Sequence, residues 1–481
     1  MAAARAVKTF TLDSTVRRVG RGTVLIGGSP LKLFRLTDAG ARHVDCIERG
    51  EQFTHTGSAG GLLERLVDAG VVHPHYTLSP DDIQALRDST TAVIPTHGTT
   101  HSDITRLVAH CIATAGPYLC SVVVVDDASN PPIHDVPGAL IVRRNTNGGP
   151  GAARASGFEH VVTPFVAFID TDVELSPNWL EPLLAHFSDE RVALVAPRVT
   201  SAPGASAIAM YEVARSPLDL GVQPARVRAG TRVSYVPSAA MVCRADALRS
   251  VGGFDPTMRV GEDVDLVWRL DESGWRVRYE PSVAVAHRPR RTSRAWLRQR
   301  YTYGTSAAML EQRHPGALAP VRVSGWSAAS WLAVVAGWPI VGTAIAGITT
   351  VALARKLRHI PDGISEAVRL AGLGHLFAGR SLASAITRAW WPLAAIAALM
   401  SKRARRAVVA AAIAPSLFDW LRERPAIDPA RYVVLRLLDD VAYGVGLMRG
   451  AFDARSIDSL RPDFTSWPNS PNSRPAQPTD R

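Results

Sequence analysis

The spacing of apolar and polar positions changes character twice along the chain. From residue 91 to about residue 300, short apolar runs alternate with helical stretches. Residues 91–95 form a short apolar run closed by proline, and residues 121–125 run from Ser121 into four consecutive valines, a β-branched run as in a strand buried on both faces. Residues 140–143 and 165–169 read as further strands, and residues 104–115 and 151–160 carry helical spacing between them. This βαβαβ order predicts a mainly parallel α/β sheet with its ligand at the carboxyl ends of the strands.

The flanking sequence has other rhythms. Residues 16–26 read as a hairpin around Gly20 and Gly22, and residues 38–49 as a helix closed by Gly50. Leu62, Leu63, Leu66 and Val67 share one face of a second helix that Gly70 closes, and residues 71–78 suit a returning strand. Residues 81–91 form a polar, helical connector. Beyond residue 300 the chain is helical and more apolar. No charge occurs between Arg322 and Arg355, and residues 331–353 are long enough to span a bilayer. Their Ala, Gly and Thr content and Pro339 fit a buried or membrane-surface hairpin equally well. Residues 381–400 contain Arg388, and the apolar run 407–418 is short. The tail from Pro462, rich in Pro, Ser, Asn and Asp, predicts disorder. The domain boundaries are therefore 1–90, 91–300, 301–460 and 461–481.

Charge refines this picture. The formal charge is +11, and only Lys8, Lys32, Lys356 and Lys402 are lysines, so the excess is arginine. Six arginines lie from Arg288 to Arg300, and Lys402, Arg403, Arg405 and Arg406 form a second cluster. Both adjoin apolar segments, which suits an anionic membrane surface or a phosphate-bearing ligand. Nucleic-acid binding would instead need basic residues interleaved with aromatics on one face. Cys46, Cys111, Cys120 and Cys243 have neither C-x-x-C nor ligand spacing, which points to reduced thiols in a cytosolic protein. The start, Met1-Ala-Ala-Ala-Arg, lacks the apolar core of a signal peptide.

Five motifs carry chemistry. In Val122-Val-Val-Val-Asp-Asp-Ala-Ser129 a strand ends in two carboxylates, Asp126 and Asp127, placed to accept from a base N–H or a ribose hydroxyl; a turn with a helix cap would look the same. Asn147-Gly-Gly-Pro-Gly-Ala-Ala-Arg-Ala-Ser-Gly157 lets backbone approach a ligand closely at Asn147 and Gly151, and Arg154 suits a phosphate, although the segment is not a P-loop. Phe165-Val-Ala-Phe-Ile-Asp-Thr-Asp172 runs a buried strand into Asp170 and Asp172. Two carboxylates held so close call for a cation, and Mg²⁺ or Mn²⁺ would bridge them to a diphosphate. Gly261-Glu-Asp-Val-Asp-Leu-Val-Trp-Arg-Leu270 puts Glu262 and Asp263 at a helix start, where the dipole keeps a carboxylate ionised and able to accept a proton; both would also serve as plain caps. Val283-Ala-Val-Ala-His287 ends a strand on an imidazole that suits a metal.

In this order the five motifs resemble the GT-A, Rossmann-like catalytic domain of glycosyltransferase family 2. The resemblance covers about residues 91–300. It implies a metal-dependent enzyme that inverts the anomeric centre. It places Asp127 on uracil with Asp126 beside it, and Asp170, Asp172 and His287 on the metal. Asp263 becomes the general base with Glu262 as the next candidate, and Pro95 and Thr96 close over the nucleotide. Asn147, Gly151, Arg154 and Asp170 complete the donor site. Pro95-Thr-His-Gly-Thr stands where the family commonly has a Tyr-Asn pair, and the Q-x-x-R-W signature of processive synthases is missing.

The leading residues resemble a PqqD-like winged-helix module. Together with Trp296-Leu-Arg-Gln-Arg-Tyr-Thr-Tyr-Gly304, His314-Pro-Gly316 and the helical C-terminal region, they make the whole chain similar to the mycofactocin-system glycosyltransferases of actinobacteria. That resemblance implies a UDP-glucose donor, a premycofactocin acceptor derived from a peptide, and β-1,4-linked glucose. The apolar C-terminal segments and the basic clusters beside them suggest a place on the cytoplasmic side of the membrane or peripheral attachment to it. Two alternatives stand beside it. One is a family 2 enzyme acting on an envelope lipid or polysaccharide. The other is a sugar nucleotidyltransferase, which would carry a basic, glycine-rich loop directly after the first strand, where residues 95–100 have no Arg or Lys.

Overall fold

The computed structural model describes residues 7–51, 57–115 and 121–466. The chain divides into two compact units, Met1–Ala205 with Arg215–Pro289, and Ser206–Ala214 with Arg290–Arg481.

In the first unit, strand Val7–Leu12 pairs antiparallel with Val72–Thr77. The expected hairpin is present as Arg17–Val19 and Val24–Gly27, and a third strand, Lys32–Arg35, extends it. Helices Asp38–Glu48 and Gly57–Asp68 follow, the first capped by the Thr37 side chain. Phe10, Leu25, Val44, Leu63, Leu66 and Val72 close a small core. The connector is helix Pro80–Asp88, capped by Ser79.

The central sheet has nine strands. Ala139–Arg144, Ser121–Asp127, Thr90–Thr96 and Phe165–Ile169 lie side by side and parallel. Ala240–Arg244 then runs antiparallel to both Phe165–Ile169 and Val192–Ser201. Val192–Ser201 pairs parallel with Arg276–His287, whose other partners, Val173–Glu174 and Ala225–Arg226, are antiparallel. Val192–Ser201 and Arg276–His287 therefore share the direction of the first four strands, so the sheet is mainly parallel as expected and is made mixed by Ala240–Arg244 and the two short strands Val173–Glu174 and Ala225–Arg226. Pro95 is tolerated in a central strand because the ladder to Phe165–Ile169 ends at Val93, before the missing N–H.

The boundary read at residue 90 separates no compact unit. Arg276, almost fully buried, ties the leading helix to the sheet. It donates to Glu64 at 2.6 Å, to Asp68 at 2.7 Å and to Asp189 at 2.6 Å. Arg226 adds a bond to Asp68 at 2.6 Å.

The second unit takes helix Ala207–Arg215, out of the segment assigned to the catalytic domain, together with Ser293–Thr305. Buried Glu212 accepts from Trp296 at 2.8 Å and from Arg300, while Tyr211 donates to Asp439 at 3.0 Å. One member of the 288–300 arginine cluster is therefore internal. The apolar segment after residue 322 breaks before Pro339 into helices Gly325–Val335 and Pro339–Leu357. Among the described residues Pro339–Leu357 alone has the length and hydropathy to cross a membrane as one straight helix. Gly363–Arg388 and Trp391–Met400 meet at 91°, and Lys402–Glu423 and Pro429–Asp453 follow. The start of the expected disordered tail is ordered instead. Asp463–Phe464 pairs with Arg322–Val323, and residues 467–481 lie outside the described part. Cys46, Cys111 and Cys243 are free thiols, and Cys120 also lies outside it.

Arg276→Met should lower unfolding stability by about 2–3 kcal/mol, because it strands carboxylates around a buried cation site, discounted for their partial exposure. Urea denaturation measures the loss, and limited proteolysis should cut first within residues 1–80. Unchanged stability would show that the arginine does not anchor this segment.

Candidate active site

The carboxyl ends of three neighbouring parallel strands bring Thr96, Asp126, Asp127 and Asp170 to one edge of the sheet. This is the edge at which α/β sheets hold ligands.

The Asp pair ending Ser121–Asp127 is largely committed within the protein. Asp126 is fully buried and accepts from the backbone N–H of Ser129 at 2.8 Å, from that of Ile133 at 3.0 Å, and from Arg143. It shapes the loop after the strand, with most of its acceptor capacity taken up within the protein. Asp127 accepts from Arg144 Nε at 2.8 Å and from the N–H groups of Gly148 at 3.0 Å and Gly149 at 2.8 Å. It holds the 147–149 loop rather than presenting an open carboxylate. A Cβ on Gly148 would stand 2.7 Å from the Ala152 Cβ, and Gly149 has φ +88°, so both positions favour glycine.

Asn147 accepts from Arg259 at 2.9 Å. Gly151, in the first turn of helix Pro150–Phe158, lies flush against residues 258 and 262, where a Cβ would meet the Met258 carbonyl at 2.9 Å. Pro95 and Thr96 are buried at the end of their strand, and the Thr96 hydroxyl has no hydrogen-bond partner. The exposed His97 beyond it is fixed through Nδ1 on the Asp127 carbonyl at 2.8 Å.

Arg154, expected to suit a phosphate, is 1% exposed and turned to carboxylates of the protein. It donates to Asp170 Oδ1 at 2.5 Å and to Glu262 Oε1 at 2.8 Å, and its guanidinium lies over the Phe254 ring. It thereby joins the end of strand Phe165–Ile169 to the start of helix Glu262–Glu272. Asp263 accepts from the N–H groups of Ser238 at 3.2 Å and Val264 at 2.8 Å. Burial pushes the Asp170, Glu262 and Asp263 carboxyls above their ordinary range, and Arg154 opposes all three shifts. Burial therefore outweighs the helix dipole that was expected to keep Glu262 and Asp263 readily ionised.

Asp172 and His287 meet because Val173 and His287 are paired across antiparallel strands. His287 Nε2 stands 3.3 Å from Asp172 Oδ2. The expected triad of Asp170, Asp172 and His287 does not close, since Asp170 is turned to Arg154. Among the described residues no group of three His, Cys, Asp or Glu side chains forms a metal-ligand cluster. Two ligands still fit. Neighbouring donors around an octahedral Mg²⁺ with bonds of about 2.1 Å stand about 3 Å apart, close to the Asp172–His287 spacing, and Mg²⁺ commonly takes its remaining oxygens from phosphate and water.

Residues 91–247 match the family model described as Glycosyl transferase family 2. The pre-mycofactocin glycosyltransferase of Mycobacterium tuberculosis (strain ATCC 25618 / H37Rv) is 41% identical over 470 residues, covering 94% of this chain and 97% of that protein. The chain belongs to glycosyltransferase family 2, in the pre-mycofactocin glycosyltransferase group. Its mixed sheet is the GT-A-like sheet of that family. The glycosyltransferase is also 30% identical over 115 residues to polypeptide N-acetylgalactosaminyltransferase 4 of Caenorhabditis elegans, covering 22% of this chain and 19% of that one. Among solved structures, the mannosyltransferase PcManGT from Pyrobaculum calidifontis in complex with GDP-Man and Mn²⁺ aligns with 48% of this chain and 65% of its own, at 17% identity and TM-score 0.36.

Sequence reading missed Arg144, Arg259, Ser238 and His97 in this glycosyltransferase. Only His97 carried a signal, as the side chain directly after the strand-ending Pro95-Thr96. The others act through backbone or through bonds that span more than 15 residues.

The ion pairs set the pH response. Arg154 lowers the Asp170, Glu262 and Asp263 pKa values, so Arg154→Met should raise them and move the acid limb of kcat/KM to higher pH by about one unit or more. A pH–rate profile of sugar transfer reads this shift, and an unmoved limb would show that Arg154 does not govern these groups.

Proposed function

We propose that the enzyme transfers glucose from UDP-glucose to premycofactocin, with inversion, and builds a β-1,4-linked oligoglucoside on this peptide-derived redox cofactor. The observation that carries this reading is the 41% identity to the pre-mycofactocin glycosyltransferase, which runs through the flanking regions as well as the catalytic sheet. The PqqD-like order of elements in the leading residues supports assigning that segment to docking of the acceptor.

In this reading Asp263 is the general base. Its carboxylate is oriented by the Ser238 and Val264 N–H groups, and its raised pKa makes it a stronger base than an ordinary aspartate. It takes the proton of the acceptor hydroxyl as the new O–C1 bond forms and the C1–O bond to the diphosphate breaks, releasing UDP. Glu262 stays beside it, held by Arg154. The buried, unpartnered Thr96 hydroxyl is assigned to the nucleotide. Asp172 and His287 would hold Mg²⁺ or Mn²⁺, which when bound neutralises charge on the departing diphosphate.

Asp172→Ala should lower kcat/KM by about 10²–10³-fold with circular dichroism unchanged, the scale of losing one electrostatic stabiliser. Full activity in that variant would remove the metal assignment. Asp263→Asn should keep UDP affinity while losing about 10²–10⁴-fold in transfer. Lost UDP binding would reassign Asp263 to the donor site. A donor comparison of UDP-glucose, UDP-galactose and GDP-mannose, read as UDP or GDP release with premycofactocin, tests the substrates. Preference for another donor would reject the glucose assignment.

A further inference from the structure

The second unit contains a large apolar groove lined by none of the candidate site residues. Its volume is about 1790 Å³, and Trp331, Leu376, Phe377, Leu393, Val408 and Phe418 are among its walls. Pockets for drug-sized ligands run to about 300–1,000 Å³, so this groove suits a longer apolar chain.

The surface beside it has two further properties. Helix Trp391–Met400 buries no residue, and Leu399 and Met400 at its end are 84% and 82% exposed. Helix Pro339–Leu357 buries only Gly342. Immediately after Met400 come Lys402, Arg403, Arg405 and Arg406, all exposed, in a helical turn without an acid. Ala404 in that same turn lines the groove. Arg403 is held on the Ala336 carbonyl at 3.3 Å, and among the described residues no carboxylate pairs with Lys402, Arg405 or Arg406. By contrast, Arg380, which also lines the groove, is neutralised by Asp419 at 2.7 Å. Exposed apolar side chains next to an unneutralised basic turn match the two layers of an anionic lipid surface.

We propose that the second unit binds an anionic bilayer phospholipid, with an acyl chain in the groove and the headgroup phosphate on the basic turn at 402–406. Trp331 faces the chain, and its indole N–H is already satisfied by the His375 carbonyl at 2.7 Å, leaving an apolar face for contact. The proposal is independent of which sugar and acceptor the first unit uses.

The test uses the full chain and two vesicle types, phosphatidylcholine alone and phosphatidylcholine with phosphatidylglycerol. The protein should float with the anionic vesicles at least about tenfold more than with the neutral ones, and added salt should weaken this preference. The combined variant K402Q/R403Q/R405Q/R406Q should lose the preference and keep UDP release. Phosphatidylglycerol brominated along its acyl chain should quench tryptophan fluorescence, and because Trp331 and Trp390 both line the groove, the double variant Trp331→Phe/Trp390→Phe should remove most of that quenching while leaving flotation intact. Equal flotation with both vesicle types would overturn the headgroup assignment. Absence of quenching in the unaltered protein would overturn the groove assignment. A vesicle-free dimer that hides this face would replace the lipid with a second copy of the chain.

Discussion

Arg154 is the one cation buried among Asp170, Glu262 and Asp263, and the shape of the catalytic edge follows from it. Carboxylates withdrawn from water repel one another and are costly to ionise, and a lone buried arginine is equally unfavourable. Placed together they offset each other. The two hydrogen bonds of Arg154 also fix distances, because a guanidinium offers its donors in a rigid plane. Strand Phe165–Ile169 and helix Glu262–Glu272 are far apart in sequence, and this side chain holds their ends in register. The arrangement leaves Asp172 turned toward His287 and Asp263 held by backbone donors, so the carboxylates of one acidic patch have different surroundings. Different surroundings are what allow chemically similar groups to take different roles.

Much of the central sheet was legible in sequence because buried parallel strands are written as unbroken apolar runs. Residues 121–125 and 165–169 named two strands within two residues of their ends. The short strands Lys32–Arg35 and Ala225–Arg226 were not legible, since four or two residues carry no period. The reversal of one central strand was not legible either. The pattern of Ala240–Arg244 says that it is buried, and nothing in five residues says that it runs against both neighbours. The compact units were hidden for a related reason. Glu212 reads as an ordinary helical glutamate, and only the fold shows it accepting from Trp296 and Arg300.

The candidate site shows the same limit at the level of single residues. Motif reading found every carboxylate that gathers at the sheet edge. It did not show that Asp126, Asp127 and Arg154 also bond within the protein, because a charged residue near a crevice has the same sequence signature whether it faces a ligand or supports the wall. The partners that decide between these cases, such as Arg143, Arg144 and Glu262, lie from 17 to 108 residues away. A carboxylate that accepts two backbone N–H groups and an arginine has little capacity left for anything else.

The grip of Asp127 on Gly148 and Gly149 bears on how fast and how tightly an incoming molecule is received. A glycine pair in a surface loop would ordinarily sample many shapes, and a ligand that selected one of them would lose affinity to that freezing. Here the selection is completed during folding, and the entropy is lost once, when the chain collapses, instead of at every turnover. The crevice wall formed by this loop therefore behaves as rigid scaffold despite being made of the most pliable residue.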